Sequence, residues 1–181
     1  FLSSGGLSIK TSINTSMQQK SNDLLIRELT NLDIKNNNFK PTIFNSSIKD
    51  FDKNDWESFF RDNNKKKSNN IWDLGVIKKN KDGKYLLKTD KSDILSNLNF
   101  PYKKPPVFAT GDVVYYTINK DKKNLTYKQI PFFDGGIIIF DRKLEDILVL
   151  NGGFNYLSSN LNMITEKNEN FKKAMIPFLL F

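Results

Sequence analysis

The sequence predicts an α+β chain built from a small β-barrel and a separate set of antiparallel strands with an amphipathic helix. Three observations carry that expectation. Residues 111–119 (GDVVYYTIN) form a β-branched and aromatic run that a polar turn at 120–124 returns into 125–130. Residues 136–141 (GIIIFD) and 147–150 make a second hairpin around a turn at 142–146. Residues 7–13 alternate apolar and polar and then give way to a helical period.

The elements follow in order. The alternation over 7–13 predicts a strand with one buried face. Thr15 with Gln18 three residues later has the pattern of a capping box, which opens a helix. Met17, Leu24, Leu25, Leu29 and Leu32 fall on one helical face, so the helix runs to about residue 32. From 33 to 70 the composition turns polar, with Asn and Lys runs of the kind found in linkers. Within this stretch Ile48, Phe51, Trp56 and Phe59 have the spacing of a short helix whose aromatic stripe packs. Residues 71–79 read as a strand, Asp82-Gly83 as a hairpin turn and 85–88 as the returning strand. Residues 90–98 read as one short helix, and Pro101, Pro105 and Pro106 enforce a loop before the strand at 111. Short strands around one brief helix fit a barrel of OB type over 70–130.

Composition narrows the chemistry. A chain of 181 residues buries roughly 70% of its unfolded surface, enough for a real core. It has neither Cys nor His. That excludes disulfides, Cys/His zinc sites, thiol nucleophiles, Ser-His-Asp triads and histidine-ligated haem. The net charge is +8, yet only Arg27, Arg61 and Arg142 are arginine; the other 25 basic residues are Lys, beside 23 Asn. A Lys and Asn excess without Arg reads as coding bias rather than phosphate recognition, so nucleic acid is not expected as a partner. The longest apolar runs, 135–140 and 175–181, fall short of the ~20 residues a membrane-spanning helix needs.

Three segments, in order, resemble class A penicillin-binding proteins, the bifunctional peptidoglycan glycosyltransferase/transpeptidases of bacteria. Residues 5–18 (GGLSIKTSINTSMQ) resemble the family's GGL-x-V-x-T-T-L-D-x-x-L-Q, which opens the transpeptidase region. Residues 111–114 (GDVV) with Gln129-Ile130-Pro131 are similar to its GD-V strand and Q-x-P. Residues 135–156 (GGIIIFDRKLEDILVLNGGFNY) resemble its hairpin GALVALDPKTGAVLALVGGFDF. The resemblance implies that 1–33 are the N-terminal strand and helix of a transpeptidase domain and 34–69 a linker. It implies that 70–130 are an inserted OB-like barrel and that 131–181 are a hairpin leading into a truncated catalytic region. It further implies a piece of a longer, membrane-anchored protein at the periplasmic face of the bacterial inner membrane, whose partners are peptidoglycan and other cell-wall synthesis proteins. The membrane segment of that parent is not in this chain.

The family's next motif carries the acyl-transfer chemistry: a serine nucleophile and, one helical turn on, a lysine that helps take its proton. Residues 159–178 (SNLNMITEKNENFKKAMIPF) keep the register through Ser159, Asn162, Thr165, Pro177 and Phe178, but Lys173 stands at the serine position and Ile176 at the lysine position. Ile cannot move a proton. The expectation is therefore no catalytic residue in this chain, and no cofactor or metal. Other candidates read as structural. Asp134, Asp141, Glu145 and Asp146 fit turn chemistry. Asp50, Asp52, Asp55 and Glu57 lack the spacing of a calcium loop. Asn151-Gly152-Gly153 lacks the Lys-Ser/Thr of a phosphate loop. Ser3, Ser4, Ser158 and Ser159 have no visible base. A second reading is a non-catalytic OB-like binding module, or a pseudoenzyme scaffold, that binds an anionic polymer through Lys-rich loops or a cell-wall partner.

Overall fold

The computed structural model describes residues 8, 10–40, 42–48, 50–52, 55–64, 71–79, 84–104, 107–119, 124–143, 145–155 and 164. It contains two compact units: one joins 1–28 to 134–181, and the other is 29–133. The elements in chain order are α1 (Thr15–Asn36), β1 (Phe44–Asn45), α2 (Trp56–Asn64), β2 (Asp73–Lys79), β3 (Tyr85–Thr89), β4 (Ser92–Asn99), β5 (Asp112–Asn119), β6 (Asn124–Lys128), β7 (Ile137–Asp141) and β8 (Asp146–Asn151). The expected turns at 82–83 and 120–123 lie outside the described residues.

In the larger unit five strands close on themselves in the order β2-β3-β4-β6-β5, with β5 returning to β2. Every barrel pairing is antiparallel except β4 with β6, where Leu98 faces Leu125 and Asn99 faces Thr126. β5 has the apolar content to serve two neighbours. It pairs with β2 from Val113 to Tyr116 and with β6 from Tyr115 to Asn119, and β1 covers its first residues through Phe44 opposite Val113. The inward residues Ile77, Leu87, Leu98, Val114, Tyr116, Leu125 and Tyr127 form one core. By the period of two, Leu74, Val76, Val113 and Tyr115 point outward, yet they are buried as well. α2 packs on β2 on that side, and the Trp72 ring lies 6.1 Å from Tyr115.

The short helix expected over 90–98 is a strand instead. A tight turn at Asp90-Lys91 leads into β4, where Leu98 is buried while Asn97 and Asn99 are exposed. That alternation, and the pairing of Leu86 with Asn97 and of Leu87 with Ser96, override a weak helical pattern. Aromatic side chains from the β4–β5 connection plug the barrel. Phe108 is 1% exposed, Tyr102 joins the same core, and Phe100 stacks on Phe108 at 5.4 Å. Gly111, at φ 94°, starts β5 with its N–H on Ile77 O. Asp112 then accepts from Asn45 Nδ2 at 2.7 Å and from the Ala109 N–H at 2.8 Å.

α1 also departs from the sequence expectation. It continues to Asn36 and ends in a Schellman motif: Asn37 sits at φ 54°, its N–H donates to Ile34 O, and Asn38 N donates to Asp33 O. On the predicted apolar face Leu25 and Leu29 are buried, but Leu24 and Leu32 are exposed. The capping box does not form. Asn14 is the cap, with its Oδ1 on Met17 N at 3.0 Å. Residues 10–13, expected as part of a strand, are irregular. Ser12 Oγ donates to Ile147 O and Asn14 N to Leu148 O, so a side chain takes one of the positions a backbone ladder would occupy on β8. Among the described residues of 34–69 stand the end of α1, β1 and α2; the short helix expected along Ile48, Phe51, Trp56 and Phe59 begins only at Trp56, with Asp55 Oδ1 accepting Ser58 N at 3.0 Å, so Ile48 and Phe51 precede it.

In the smaller unit β7 and β8 form a two-stranded antiparallel sheet, paired from Ile137 opposite Asn151 to Asp141 opposite Asp146, with a register shift between Ile139 and Phe140. The Gln18 amide binds β8 like a strand: its Nε2 donates to Leu150 O and its Oε1 accepts Leu150 N, both at 3.0 Å. Asn151, buried, donates to Ser21 Oγ at 3.0 Å and accepts from Gln18 Nε2.

A buried polar cluster fixes the end of α1 within the larger unit. Asp33 is 1% exposed, and its Oδ2 accepts from Gln129 Nε2 at 3.0 Å and Phe132 N at 2.8 Å. Gln129 also donates to Asn38 O and accepts from Lys40 N at 2.7 Å. Gln129→Leu leaves several of these groups desolvated without partners, and we expect a loss on the order of 3 kcal/mol in the denaturant unfolding free energy of the larger unit. Gly75 makes a second test. A Cβ there would stand 2.6 Å from the side chain of Leu87, which is fully buried and has nowhere to go. Gly75→Ala should lower stability by about 1–3 kcal/mol, read as a lower thermal midpoint.

Candidate functional site

A groove of about 500 Å³ opens beside α2, on the outside of the barrel at the β3–β4 turn. The sequence builds it from two directions. Asp55 caps α2 and sets its first turn, which places Trp56, Phe60 and Asn64 at intervals of four along one face. Phe60 is buried and forms the apolar floor. The Trp56 ring stacks over it at 6.0 Å and 30°, and the indole Nε1–H is pinned to Phe51 O at 3.0 Å. From the barrel, Lys88, Thr89 and Asp90 form the opposite wall. Lys91 holds their turn through an ion pair with Asp73, which raises the Lys91 pKa.

The polar groups in this groove are mixed in sign. Glu57 and Arg61 come from α2, and Lys88 and Asp90 from the barrel. Arg61 contacts Asp62 at 3.7 Å, with both side chains 61% exposed, so that pair is weak and leaves the guanidinium accessible to a ligand. Asn64 Oδ1 is buried without a hydrogen-bond partner in the protein. The groove therefore combines an aromatic wall with side chains of both charge signs.

The residues singled out in the sequence are scattered. Lys173, Ile176, Ser3, Ser4, Ser158 and Ser159 lie outside the described residues. Asp134 Oδ1 accepts the N–H groups of Gly135 and Phe154, both at 2.9 Å, and Asp141 Oδ1 accepts Lys143 N at 2.8 Å. Asp50 Oδ1 accepts Asp52 N at 3.1 Å. These carboxylates close turns. Among the described residues, no group of three or more His, Cys, Asp or Glu gathers to hold a metal ion, and no helix is long and apolar enough to cross a membrane. Sequence reasoning assigned Trp56 to packing and missed its second role at the groove. It gave no signal at all for Lys88 or Asn64, because both need α2 to lie beside the β3–β4 turn.

The barrel order and the paired strand–helix unit invite comparison with known structures. The fold resembles that of a penicillin-binding protein. The crystal structure of penicillin-binding protein 1A from Haemophilus influenzae matches with a TM-score of 0.64 at 14% sequence identity, over 84% of this chain and 23% of that one. This chain thus spans less than a quarter of that protein. No family model and no curated protein matches the sequence. The structural match supports a fold of the penicillin-binding-protein kind, with a closed five-stranded barrel in a mixed α/β chain.

Lys128, at the end of β6, is half-buried, and burial lowers its pKa. A lysine whose folded pKa is depressed destabilises the fold below that pKa, where both states carry the proton; the penalty fades as pH rises toward the unfolded value of about 10.5. Lys128→Met should therefore raise the melting temperature at pH 7, and the gain should disappear above about pH 10.5, as thermal melts across pH will show.

Proposed function

We propose that this chain is the non-catalytic part of a bacterial cell-wall synthase of the bifunctional penicillin-binding kind. In this reading 1–33 and 131–181 belong to a transpeptidase domain, and the barrel is an OB-type insertion within it. The observation that carries the proposal is the closed barrel that follows α1 and precedes the β7–β8 hairpin in chain order, in a fold similar to that of penicillin-binding protein 1A over 84% of the chain. The strand order β2-β3-β4-β6-β5, with one parallel closure, supports the OB reading. The three sequence segments, at 5–18, at 111–114 with 129–131, and at 135–156, support it independently, because they occur in the order that the family's motifs follow.

The parent would face the periplasm, anchored by a segment outside this chain, and would act on peptidoglycan with other cell-wall proteins. This chain would link catalytic parts and present binding surfaces. It would be catalytically silent, because Lys173 and Ile176 supply neither the hydroxyl nucleophile nor the proton acceptor that acyl transfer requires.

Two measurements test the proposal. Incubated with a fluorescent penicillin, the purified chain should take up no covalent label above background; a label that survives denaturation overturns the silent reading. The source gene, read onward from the codon for Gly152, should encode the S-x-N and K-T-G motifs of a transpeptidase. A frame that continues without them overturns the assignment to a synthase.

A further inference from the structure

We propose that Asn151-Gly152 is a self-modification site guarded by α1: when α1 leaves β8, the Asn151 amide deamidates through a succinimide. This chemistry belongs to the chain itself and does not depend on the cell-wall reading. Of the 23 asparagines, Asn151 alone precedes a glycine. Glycine hinders the reaction least, because no Cβ blocks the approach of its backbone nitrogen and its φ and ψ are free. The Gly152 nitrogen loses its proton to solvent base and attacks Asn151 Cγ. The new N–Cγ bond closes a five-membered ring, the Cγ–Nδ2 bond breaks, and Nδ2 takes up a proton and leaves as ammonia. Water then opens the ring at either carbonyl. One product is Asp; the other is isoaspartate, whose main chain runs through the side-chain carbon. Water is the only co-reactant.

The fold holds this amide out of reach. Asn151 is buried at the end of β8, where it pairs with Ile137 of β7. Strand backbone keeps the Gly152 nitrogen rotated away from the Asn151 side chain, whereas the ring needs the two eclipsed. The side-chain amide is also bonded to α1 through both of its heteroatoms. Oδ1 accepts from Gln18 Nε2, and Nδ2 donates to Ser21 Oγ at 3.0 Å and to Gln18 O at 3.3 Å. Gln18 in turn grips Leu150, the preceding residue, through both of its amide atoms. Turning Cγ toward Gly152 therefore breaks all three bonds of the Asn151 amide and leaves buried partners unpaired, Ser21 among them. The reactive geometry is reached by local opening, when the first turns of α1 separate from β8. The change is one-way. Asp at 151 cannot donate to Gln18 O, so closing α1 again buries a carboxylate against a carbonyl. Isoaspartate lengthens the main chain by one carbon and disturbs the pairing with Ile137. Either product weakens the return of α1 to β8, so the modification marks molecules that have opened.

Peptide mass mapping of the full chain reads the reaction directly, because deamidation changes the mass at one identified residue. In mildly alkaline buffer the folded chain should keep Asn151 intact. Over the same period the chain unfolded in guanidinium chloride should deamidate there faster than at its other asparagines. Gln18→Ala removes the grip on both Leu150 and Asn151, and should speed the reaction in native buffer by more than roughly tenfold. Ser21→Ala removes one hydrogen bond of the amide, and should speed it by roughly fivefold. Ser21→Ala keeps the Gln18–Leu150 pair, so it decides the matter if Gln18→Ala does not fold. A folded wild type that deamidates at Asn151 as fast as the unfolded chain overturns the proposal. So does an unfolded chain in which Asn151 reacts no faster than the other asparagines, and so does a Ser21→Ala rate equal to that of the wild type.

Discussion

Closure of the barrel through β5 is the constraint on which the larger unit depends. β5 is hydrogen-bonded to β2 on one side, and on the other to β1 at its start and to β6 along its second half. A strand so placed has no free edge to template aggregation. It also has no spare face: Val114 and Tyr116 fill the barrel, while Val113 and Tyr115 lie under the outer layer. The inner and outer layers are therefore built on one strand. α2 sits where it does because the outer face of the adjoining β2, with Leu74 and Val76, must be covered once closure has aimed those residues outward. The groove follows from that cover, since α2 spans past β2 and leaves a cleft at the β3–β4 turn.

Within each unit, buried amides do work that apolar packing cannot. Gln18 exchanges two hydrogen bonds with Leu150, and Asn151 reaches Ser21. Gln129 joins Asp33, Asn38 and Lys40. Apolar contacts tolerate sliding by a fraction of a residue; a bidentate amide does not, because displacement leaves a buried donor and acceptor unpaired at once. These amides thus fix register, Gln18 against β8 and the end of α1 against the chain after β6. The Tyr127 hydroxyl, which donates to Lys40 O, belongs to the same device, and burial raises its pKa so that it remains a donor throughout the physiological range.

What the sequence disclosed follows the strength of its periodic signals. β5, β6, β7 and β8 were legible because runs such as VVYY and IIIF admit little but a strand. Residues 92–99 were not, because Leu98 between Asn97 and Asn99 is a short alternation, and only pairing with β3 and β6 makes it decisive. The strand at 7–13 failed over residues 10–13 for the converse reason: its alternation is sound, but Ser12 and Gln18 satisfy the β8 edge through side chains. Of the candidate site, Trp56 was visible as an aromatic and nothing more. Lys88 looks in sequence like any lysine of a basic chain, and its 6% exposure comes from tertiary structure. The motif-bearing residues fared differently: Gly111 and Asp112 turn out to start β5 and tie it to Asn45 and Ala109, and Gln129 to hold Asp33, so their conformational duties are explained without reference to chemistry on a substrate.

That last point bears on how function is distributed in this chain. The residues that carry its resemblance to cell-wall synthases are, wherever the structure describes them, residues of the scaffold: a strand start, a turn closure and a register lock. The groove draws on a different set, since Trp56, Arg61, Asn64 and Lys88 all lie outside the three resembling segments. Scaffold and binding surface are thus separable in sequence, and change at α2 or the β3–β4 turn can retune the groove while the closure at β5 is kept. A net charge of +8 does not decide what the groove takes, because its own lining is balanced. Long-range charge steers encounters and is screened by salt within about 10 Å at 0.1 M, whereas selection at contact is set by the side chains that remain unsatisfied there.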